Sequence, residues 1–363
     1  MRLVLEKRLD TSLRRSLLVR GLSLVLAFVT SALLLAAVGA NPFTTYRAML
    51  AGALGSSYAV GETLVKAIPL MLTGLAVSLA FRMRFWNIGA EGQLAMGAFA
   101  ASGIALFGPP AAPWMPEGAW LPLMVAGGFV AGALWGLIPA ALKAYLDVNE
   151  IITTLMLNYI AIAWIEHLFY GPWKDPAGFG FPGSALFPAY TWLPRLFGRV
   201  HFGLAFALLA AFLIWFGLTR TRWGYEVRLL GANPVAARYA GVSVRRNMLL
   251  VMFLSAGLAG LAGMAEVAGI SHRLQQGLTL GYGFTAIIVA WLARLNPWAV
   301  LLVAFALAVL LVGGDQIQIS MGLPASVALV LQGIIFFFVL AGDIFTQYRL
   351  RLLREATEAT QSA

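Results

Sequence analysis

The sequence consists mainly of apolar runs long enough to cross a membrane, separated by short stretches that carry glycine, proline and charge. A membrane-spanning helix needs about 20 consecutive apolar residues, because the hydrocarbon core is about 30 Å thick. About ten runs fit into the 363 residues and leave little chain for a soluble domain. They lie approximately at 17–39, 59–81, 85–107, 120–142, 151–170, 202–219, 248–269, 281–294, 297–314 and 324–342. We therefore predict an all-α, polytopic membrane protein with about ten transmembrane helices.

Charge is scarce and unevenly distributed along the chain. Only 11% of the residues are charged, against about 25% in soluble domains. With the N-terminus inside, 19 of the 25 lysine and arginine residues fall in inner loops and tails, as the positive-inside rule requires. The net charge of +10 thus indicates membrane orientation and not a nucleic-acid partner. We expect a basic cytoplasmic segment at 1–16, one transmembrane domain at 17–345 and a cytoplasmic tail at 346–363.

The sequence offers little for catalysis. Cysteine is absent, which excludes disulfides, iron–sulfur clusters and thiolate metal sites. The three histidines lie far apart, and the chain has neither a His-Glu-x-x-His helix nor a Gly-x-Ser-x-Gly elbow. We therefore predict no catalytic residues, no metal site and no cofactor.

One segment, at 85–93 (FWNIGAEGQ), places amides, a carboxylate and two glycines at membrane depth. Such side chains cost about 2.5 to 3.5 kcal/mol each unless they face protein or a water-filled cavity. We predict that this segment lines a passage, with Asn158 on a neighbouring helix. The predicted path residues are Trp86, Asn87, Glu91, Gln93 and Asn158. In the competing interpretation, the polar side chains only satisfy backbone groups that the glycines expose, and Asn158 bonds between helices.

Two apolar runs have unusual lengths or ends. The run at 281–294 is short for a span, and the run at 85–107 begins with polar residues. Both are predicted to be broken or re-entrant helices whose ends point into a cavity.

The longest inner loop, at 220–246, contains the boundary signals of a short helix. Asn233 suits an N-cap, Pro234 suits the first helical position and Gly241 suits a left-handed stop. We expect Ala236, Ala237 and Ala240 to give this helix a weakly apolar surface, with Arg238 and Tyr239 available to a partner. So short a helix is barely stable alone, so it must dock on the membrane domain or on another protein.

Three segments together give the chain a family resemblance: FWNIGAEGQ at 85–93, VNEIITTLMLNYI at 148–160 and GANPVAARYAG at 231–241. The chain resembles bacterial ABC-importer inner-membrane permeases of the branched-chain amino acid and simple-sugar superfamily, in the branch that takes up nucleosides. The resemblance covers about 20–345. It implies a cytosolic ATPase subunit, a second permease that is identical or homologous, and an extracytoplasmic substrate-binding lipoprotein. It also implies that a coupling helix contacts the ATPase, through Gly231, Ala232, Asn233, Pro234, Ala236, Ala237, Arg238, Tyr239 and Gly241.

One absence in the sequence agrees with this resemblance. A phosphate-binding loop needs a glycine directly before its lysine, and none of the four lysines follows a glycine. We therefore predict a permease subunit for a small polar solute, most consistent with nucleosides, with ATP hydrolysis on another chain. The alternatives are a simple-sugar permease, a secondary transporter coupled through Glu91 or Glu62, and an intramembrane enzyme with Glu91 as general base. The aromatic outer loop at 171–200 either anchors at the headgroups or docks an extracytoplasmic partner.

Overall fold

The computed structural model describes residues 2–7, 13–278 and 280–353. Helices dominate the described residues, and this confirms the all-α fold class. In chain order the elements are β1 (Arg2–Lys7), α1 (Leu13–Ala37), α2 (Pro42–Leu54), α3 (Ser57–Arg82), α4 (Ala90–Ala111), α5 (Trp120–Leu146), α6 (Glu150–Tyr170), β2 (Arg195–Phe197), β3 (Val200–His201), α7 (Gly203–Arg220), α8 (Arg222–Ala232), α9 (Pro234–Tyr239), α10 (Val244–Glu266), α11 (Tyr282–Leu292), α12 (Pro297–Met321), α13 (Ala325–Gln347) and β4 (Tyr348–Leu353).

The predicted spans coincide with helices. Among the described residues, eight helices are long and apolar enough to cross a membrane, and a ninth span is possible if the bent pair α1–α2 counts as one. The pair bends by 113°, and α2 was not expected from the sequence. The run predicted at 281–294 forms α11, which has only 11 residues and cannot cross alone. Its length agrees with the prediction of a broken helix. The run at 85–107 instead forms α4, which is continuous over 22 residues and long enough to cross, so the prediction of a broken or re-entrant helix was wrong there.

The described chain divides into two compact units. This division does not test the single transmembrane domain predicted at 17–345, which stays a prediction. The first unit comprises Met1–Leu50 and Gly313–Ala363, and the second is Ala51–Val312. In the first unit, α1 packs along α13 and β1 pairs antiparallel with β4, with Arg2 opposite Leu353. Neither strand was expected from the sequence. The candidate site lies entirely in the second unit.

Glycines allow α4, α5 and α10 to pack closely in the second unit. A Cβ atom at Gly97 would collide with the backbone of Gly260, and one at Gly263 would collide with the carbonyl of Leu94. A Cβ atom at Gly260 would in turn meet the backbone of α5. Two glycine faces therefore allow this packing, formed by Gly128, Gly132 and Gly136 on α5 and by Gly257, Gly260 and Gly263 on α10.

The loop at 171–200 is held by backbone hydrogen bonds to the chain that follows α10. Ser184 N donates to Leu274 O at 2.8 Å, and Leu193 N donates to Ala268 O at 2.9 Å. The Trp192 ring stacks on His272 with the ring centroids 3.9 Å apart. The side chain of Phe179, at the tip of this loop, is 98% exposed. The loop is thus an ordered platform beside the segment that leads into α11.

We predict that Gly260→Ala lowers the stability of the folded protein. The added methyl group has no space between α5 and α10, and overpacking of this kind costs about 1 to 3 kcal/mol. The measurement is thermal unfolding of the purified protein in lipid nanodiscs. Gly333→Ala on α13 is the matched control, because a Cβ atom there meets nothing within 4 Å. Equal melting temperatures for the two variants would contradict the close packing.

Candidate functional site: a buried polar cluster and a half-helix

The first five residues of the polar segment, 85–89, belong to the connection between α3 and α4 and are not helical, whereas 90–93 form the first turn of α4. α3 ends at Arg82, Arg84 takes a left-handed conformation with φ of 57°, and Phe85 N closes the turn by donating to Ala80 O at 3.2 Å. α4 begins only at Ala90, so residues 83–89 form a connection between two spans. The side chains of Phe85 and Asn87 are buried in it.

Asn87 uses its full hydrogen-bonding capacity inside the protein. Its Oδ1 accepts from Gln93 Nε2 at 2.9 Å and from Gly89 N at 3.1 Å. Its Nδ2 donates to Gln93 Oε1 at 3.0 Å and to Ser255 Oγ at 3.2 Å. Ser255 then donates to Ala76 O at 2.7 Å. Asn87 therefore connects the segment to α4, α10 and α3, and a buried amide paired so completely adds rigidity.

Asn158 connects α6 to the same segment. It lies about two turns inside α6, whose first turn is capped by Asn149. Asn158 Oδ1 accepts from Gly92 N and its Nδ2 donates to Ile88 O, both at 2.8 Å. A Cβ atom on residue 92 would come within 2.9 Å of Asn158, so glycine permits this approach. In the structure Asn158 bonds between helices, which is one of the two roles that its sequence position left open.

Glu91 caps the half-helix α11. Gly281 N donates to Glu91 Oε1 at 2.8 Å, and Gly283 N donates to Glu91 Oε2. The first N–H groups of a helix lack intrahelical acceptors and carry partial positive charge, so a carboxylate there both pairs them and favours the helix dipole. Gly283 lies so close to Glu91 that a Cβ atom would collide with the Glu91 backbone. The hydrogen-bonding partners of the Glu91 carboxylate are therefore two backbone amides, which sequence alone does not identify.

The opposite end of α11 is held by Arg82. Arg82 Nη2 donates to Leu295 O at 2.7 Å. Arg294 and Leu295 both have positive φ values, and Leu295 N donates back to Ala290 O at 3.0 Å, which ends the helix. Arg82 and Glu91 stand on the two sides of the connection at 83–89. The same part of the chain therefore binds both ends of α11.

The predicted path residues divide into two groups. Asn87, Glu91, Gln93 and Asn158 are at most 1% exposed, whereas 39% of the Trp86 side chain is exposed. Trp86 lies beside Trp291 of α11, which is 44% exposed, with ring centroids 5.9 Å apart. Buried Phe81 packs behind both rings. Trp86 and Trp291 thus form an accessible aromatic pair. We call the buried side chains the polar cluster, which consists of Asn87, Glu91, Gln93 and Asn158.

The short helix α9 has the predicted boundaries. Asn233 Oδ1 accepts from Val235 N at 3.0 Å and from Ala236 N at 3.1 Å, Pro234 occupies the first turn, and Gly241 is left-handed with φ of 77°. Tyr239 is 90% exposed. Ala237, however, is fully buried, so the expectation that it contributes to the outer surface of α9 needs correction. It packs toward the protein.

A cavity of about 700 Å³ lies beside α9, at the end of the unit that also carries the α3–α4 and α5–α6 connections. Lys143 pairs with Asp147 at 2.9 Å and with Glu150 at 3.3 Å across the α5–α6 connection. The Lys143 hydrogen bond holds the pKa of Asp147 below its usual range. Arginine predominates among the charged lining residues, which are Arg84, Lys143, Asp147, Arg238 and Arg245. We call this end of the unit the basic end.

Sequence reasoning missed several members of the site. Ser255 was hidden among the small residues of α10, and nothing local distinguishes it from its neighbours. Gly281 and Gly283 had a usable signal, because a short apolar run preceded by glycine is typical of a half-helix whose amide end needs an acceptor. Arg82 entered only as a positive charge in a loop. The described residues contain no group of three or more potential metal ligands.

Long apolar helices around a buried polar cluster, with a capped and exposed helix at one end, are the architecture of a multi-pass membrane protein. A family profile described as "Branched-chain amino acid transport system / permease component" matches residues 59–340, and the chain belongs to this family.

Similar proteins extend over nearly the whole chain. A glucose ABC transporter permease, TsgB13 of Haloferax volcanii, is 38% identical over 91% of this chain and 88% of its own length. A guanosine ABC transporter permease, NupP of Bacillus subtilis, is 36% identical over 89% of this chain and 92% of its own. A nucleoside ABC transporter permease, NupB of Lactococcus lactis, is 31% identical over 90% and 91%. The protein is thus a permease subunit of an ABC transporter and not an enzyme.

We predict that Glu91→Ala destabilises the α4–α11 contact. The substitution removes the acceptor of the buried Gly283 N–H group, which costs about 1 to 3 kcal/mol, and that of the partly buried Gly281 N–H group. Hydrogen exchange measured by mass spectrometry reports it as faster exchange in the peptide that covers 281–285. Glu117→Ala, in an exposed turn, is the control. Unchanged exchange at 281–285 in Glu91→Ala would show that the carboxylate does not hold α11.

Proposed function

We propose that this protein is the permease subunit of a nucleoside-importing ABC transporter in a bacterial cell membrane. The observation that carries the proposal is the near full-length similarity to permeases named for guanosine and for nucleosides. The glucose permease of similar identity keeps a simple sugar as the second candidate. Both solute classes are neutral and rich in hydroxyl groups, and they differ in the flat base that a nucleoside carries.

The accessible aromatic pair favours the nucleoside. Trp86 and Trp291 expose ring surface at an interplanar angle of 31°, so a flat base has an aromatic face on which to stack. We place the solute path along this face of the second unit, with a second permease, identical or homologous, completing it. In this proposal Trp86 contacts the solute. The role of Asn87, Glu91, Gln93 and Asn158 is to hold the wall behind it.

The ATPase partner is proposed to bind at α9. This helix exposes Val235 and Tyr239, which are 59% and 90% accessible, together with Arg238. Apolar side chains so exposed outside the spans favour a covering partner. The residues Gly231, Ala232, Asn233, Pro234, Ala236 and Gly241 form and present the helix, while Ala237 anchors it from beneath. By the positive-inside rule, the arginines of the basic end favour a cytoplasmic position for α9. In this proposal both termini are cytoplasmic as well, because the basic residues of the sequence concentrate in the tails and inner loops.

The extracytoplasmic partner is proposed to be a substrate-binding lipoprotein. Its docking surface is the ordered loop at 171–200, whose tip exposes Phe179 and Phe181. Because that loop is hydrogen-bonded to residues 268–274, a protein bound there lies close to the chain that leads into α11.

Reconstituted uptake tests the solute and the energy source together. We expect proteoliposomes that contain the permeases, the ATPase and the binding protein to accumulate radiolabelled guanosine only when ATP is supplied. A protonophore is expected to leave this uptake unchanged. Uptake of glucose without guanosine would support the sugar alternative. Uptake without ATP that a protonophore abolishes would support a secondary transporter and overturn the proposal.

We predict that Tyr239→Ala abolishes stimulation of the ATPase by the permease without unfolding the permease. The side chain is almost fully exposed, so its loss removes contact area for a partner and leaves internal packing unchanged. The measurements are ATP hydrolysis by the assembled complex and the melting temperature of the permease. Tyr170→Ala is the matched control, since that tyrosine is 52% exposed at the far end of α6. Normal stimulation in Tyr239→Ala would place the contact elsewhere.

A further inference from the structure

A close backbone contact joins the loop that bears α9 to the end of α3. Gly231, near the end of α8, lies directly against the carbonyl group of Arg82. A Cβ atom at position 231 would overlap that oxygen, so a side chain there requires α3 or α8 to move. Asn233, which caps α9, follows two residues later. A displacement of α9 is therefore transmitted to the backbone of Arg82 through only a few residues.

Arg82 carries the contact on to the half-helix. Its guanidinium donates to Leu295 O at the end of α11, and the connection that follows it leads to Glu91, which binds the beginning of α11. The connection between Arg82 and Glu91 is braced by the hydrogen bonds of Asn87 and Asn158. Because both ends of α11 are bound to one braced segment, α11 is expected to follow that segment as a rigid body.

We propose that Gly231 and Arg82 are positioning residues that transmit displacement of α9 to α11. The contact at Gly231 transmits motion of the loop to the end of α3. The hydrogen bonds of Arg82 and Glu91 to the two ends of α11 then transmit it to that helix. α11 carries Trp291, which with Trp86 forms the accessible aromatic pair, so its motion opens or closes that face. This inference rests on the proposed function only in that α9 receives the motion from an ATPase.

The first test measures coupling. In the reconstituted transporter, we expect the amount of guanosine moved per ATP to fall about tenfold in Arg82→Gln, the effect of losing one charge-assisted hydrogen bond. Gly231→Ala is expected to lower the same ratio, because its methyl group forces α3 or α8 to move. Arg82→Lys, which keeps one charged donor, is expected to recover part of the ratio. Gly61→Ala on α3 is the control, since a Cβ atom there meets nothing within 4 Å.

The second test measures the motion itself. The chain has no cysteine, so pairs of introduced cysteines carry spin labels without background. The first pair joins α8 to α11 through Tyr225→Cys and Phe284→Cys, and the second joins α5 to α11 through Leu134→Cys and Phe284→Cys. All three side chains are partly exposed. With and without nucleotide, we expect the α5–α11 distance to change and the α8–α11 distance to stay constant.

The outcomes separate the inference from the proposed function. Absence of ATP-driven guanosine uptake in the unsubstituted transporter would count against the proposed function alone. Normal uptake there, together with a normal coupling ratio in both Gly231→Ala and Arg82→Gln, would overturn the inference alone. An α5–α11 distance change that persists unaltered in Arg82→Gln would also overturn the inference. If Gly231→Ala does not fold, Arg82→Gln decides, because it leaves the backbone contact intact.

Discussion

The hydrogen bonds from the start of α11 to Glu91 determine what this region can do. A helix that begins inside a membrane exposes N–H groups that hydrocarbon cannot satisfy, and each unpaired group costs several kcal/mol. In many transport proteins such an end faces the solute and attracts anions. Here the carboxylate of Glu91 occupies that position. The positive end of α11 is therefore already neutralised, which leaves no cationic helix end for an anionic solute and agrees with a neutral one.

Close helix packing is what allows this arrangement to form. Glu91 reaches α11 only because Gly283 has no side chain, and Asn158 reaches the segment only because Gly92 has none. One turn further along, Gly97 and Gly263 bring α4 against α10, the helix that supplies Ser255 to the polar cluster. Side chains at these positions would separate the helices by ångströms, and hydrogen bonds near 3 Å would be lost. The polar cluster thus depends on the small residues around it.

Sequence predicted features set by local or length-dependent physics. All ten apolar runs coincide with helices, and the boundary residues of α9 occupy the expected positions, because span length and capping depend on neighbouring residues. The α2 helix was missed since Thr44, Thr45 and Arg47 interrupt its apolar character. The partner of Glu91 and the inward direction of Ala237 were not predictable, because both depend on contacts between segments distant in sequence. Only the short apolar run at 281–294 indicated that an acceptor such as Glu91 is needed at the start of α11.

The same contacts bear on where the energy for transport enters. A carboxylate that couples transport to protons or sodium must alternate between a free and an occupied state, with access to water in each. Glu91 is almost fully buried with both oxygens bonded to amides, and Glu62 pairs with Arg199 at 3.0 Å. Neither candidate is free to cycle in this conformation. α9, in contrast, holds Tyr239 in solvent on a helix too short to be stable without tertiary contacts. Energy delivered mechanically at α9 agrees with both observations.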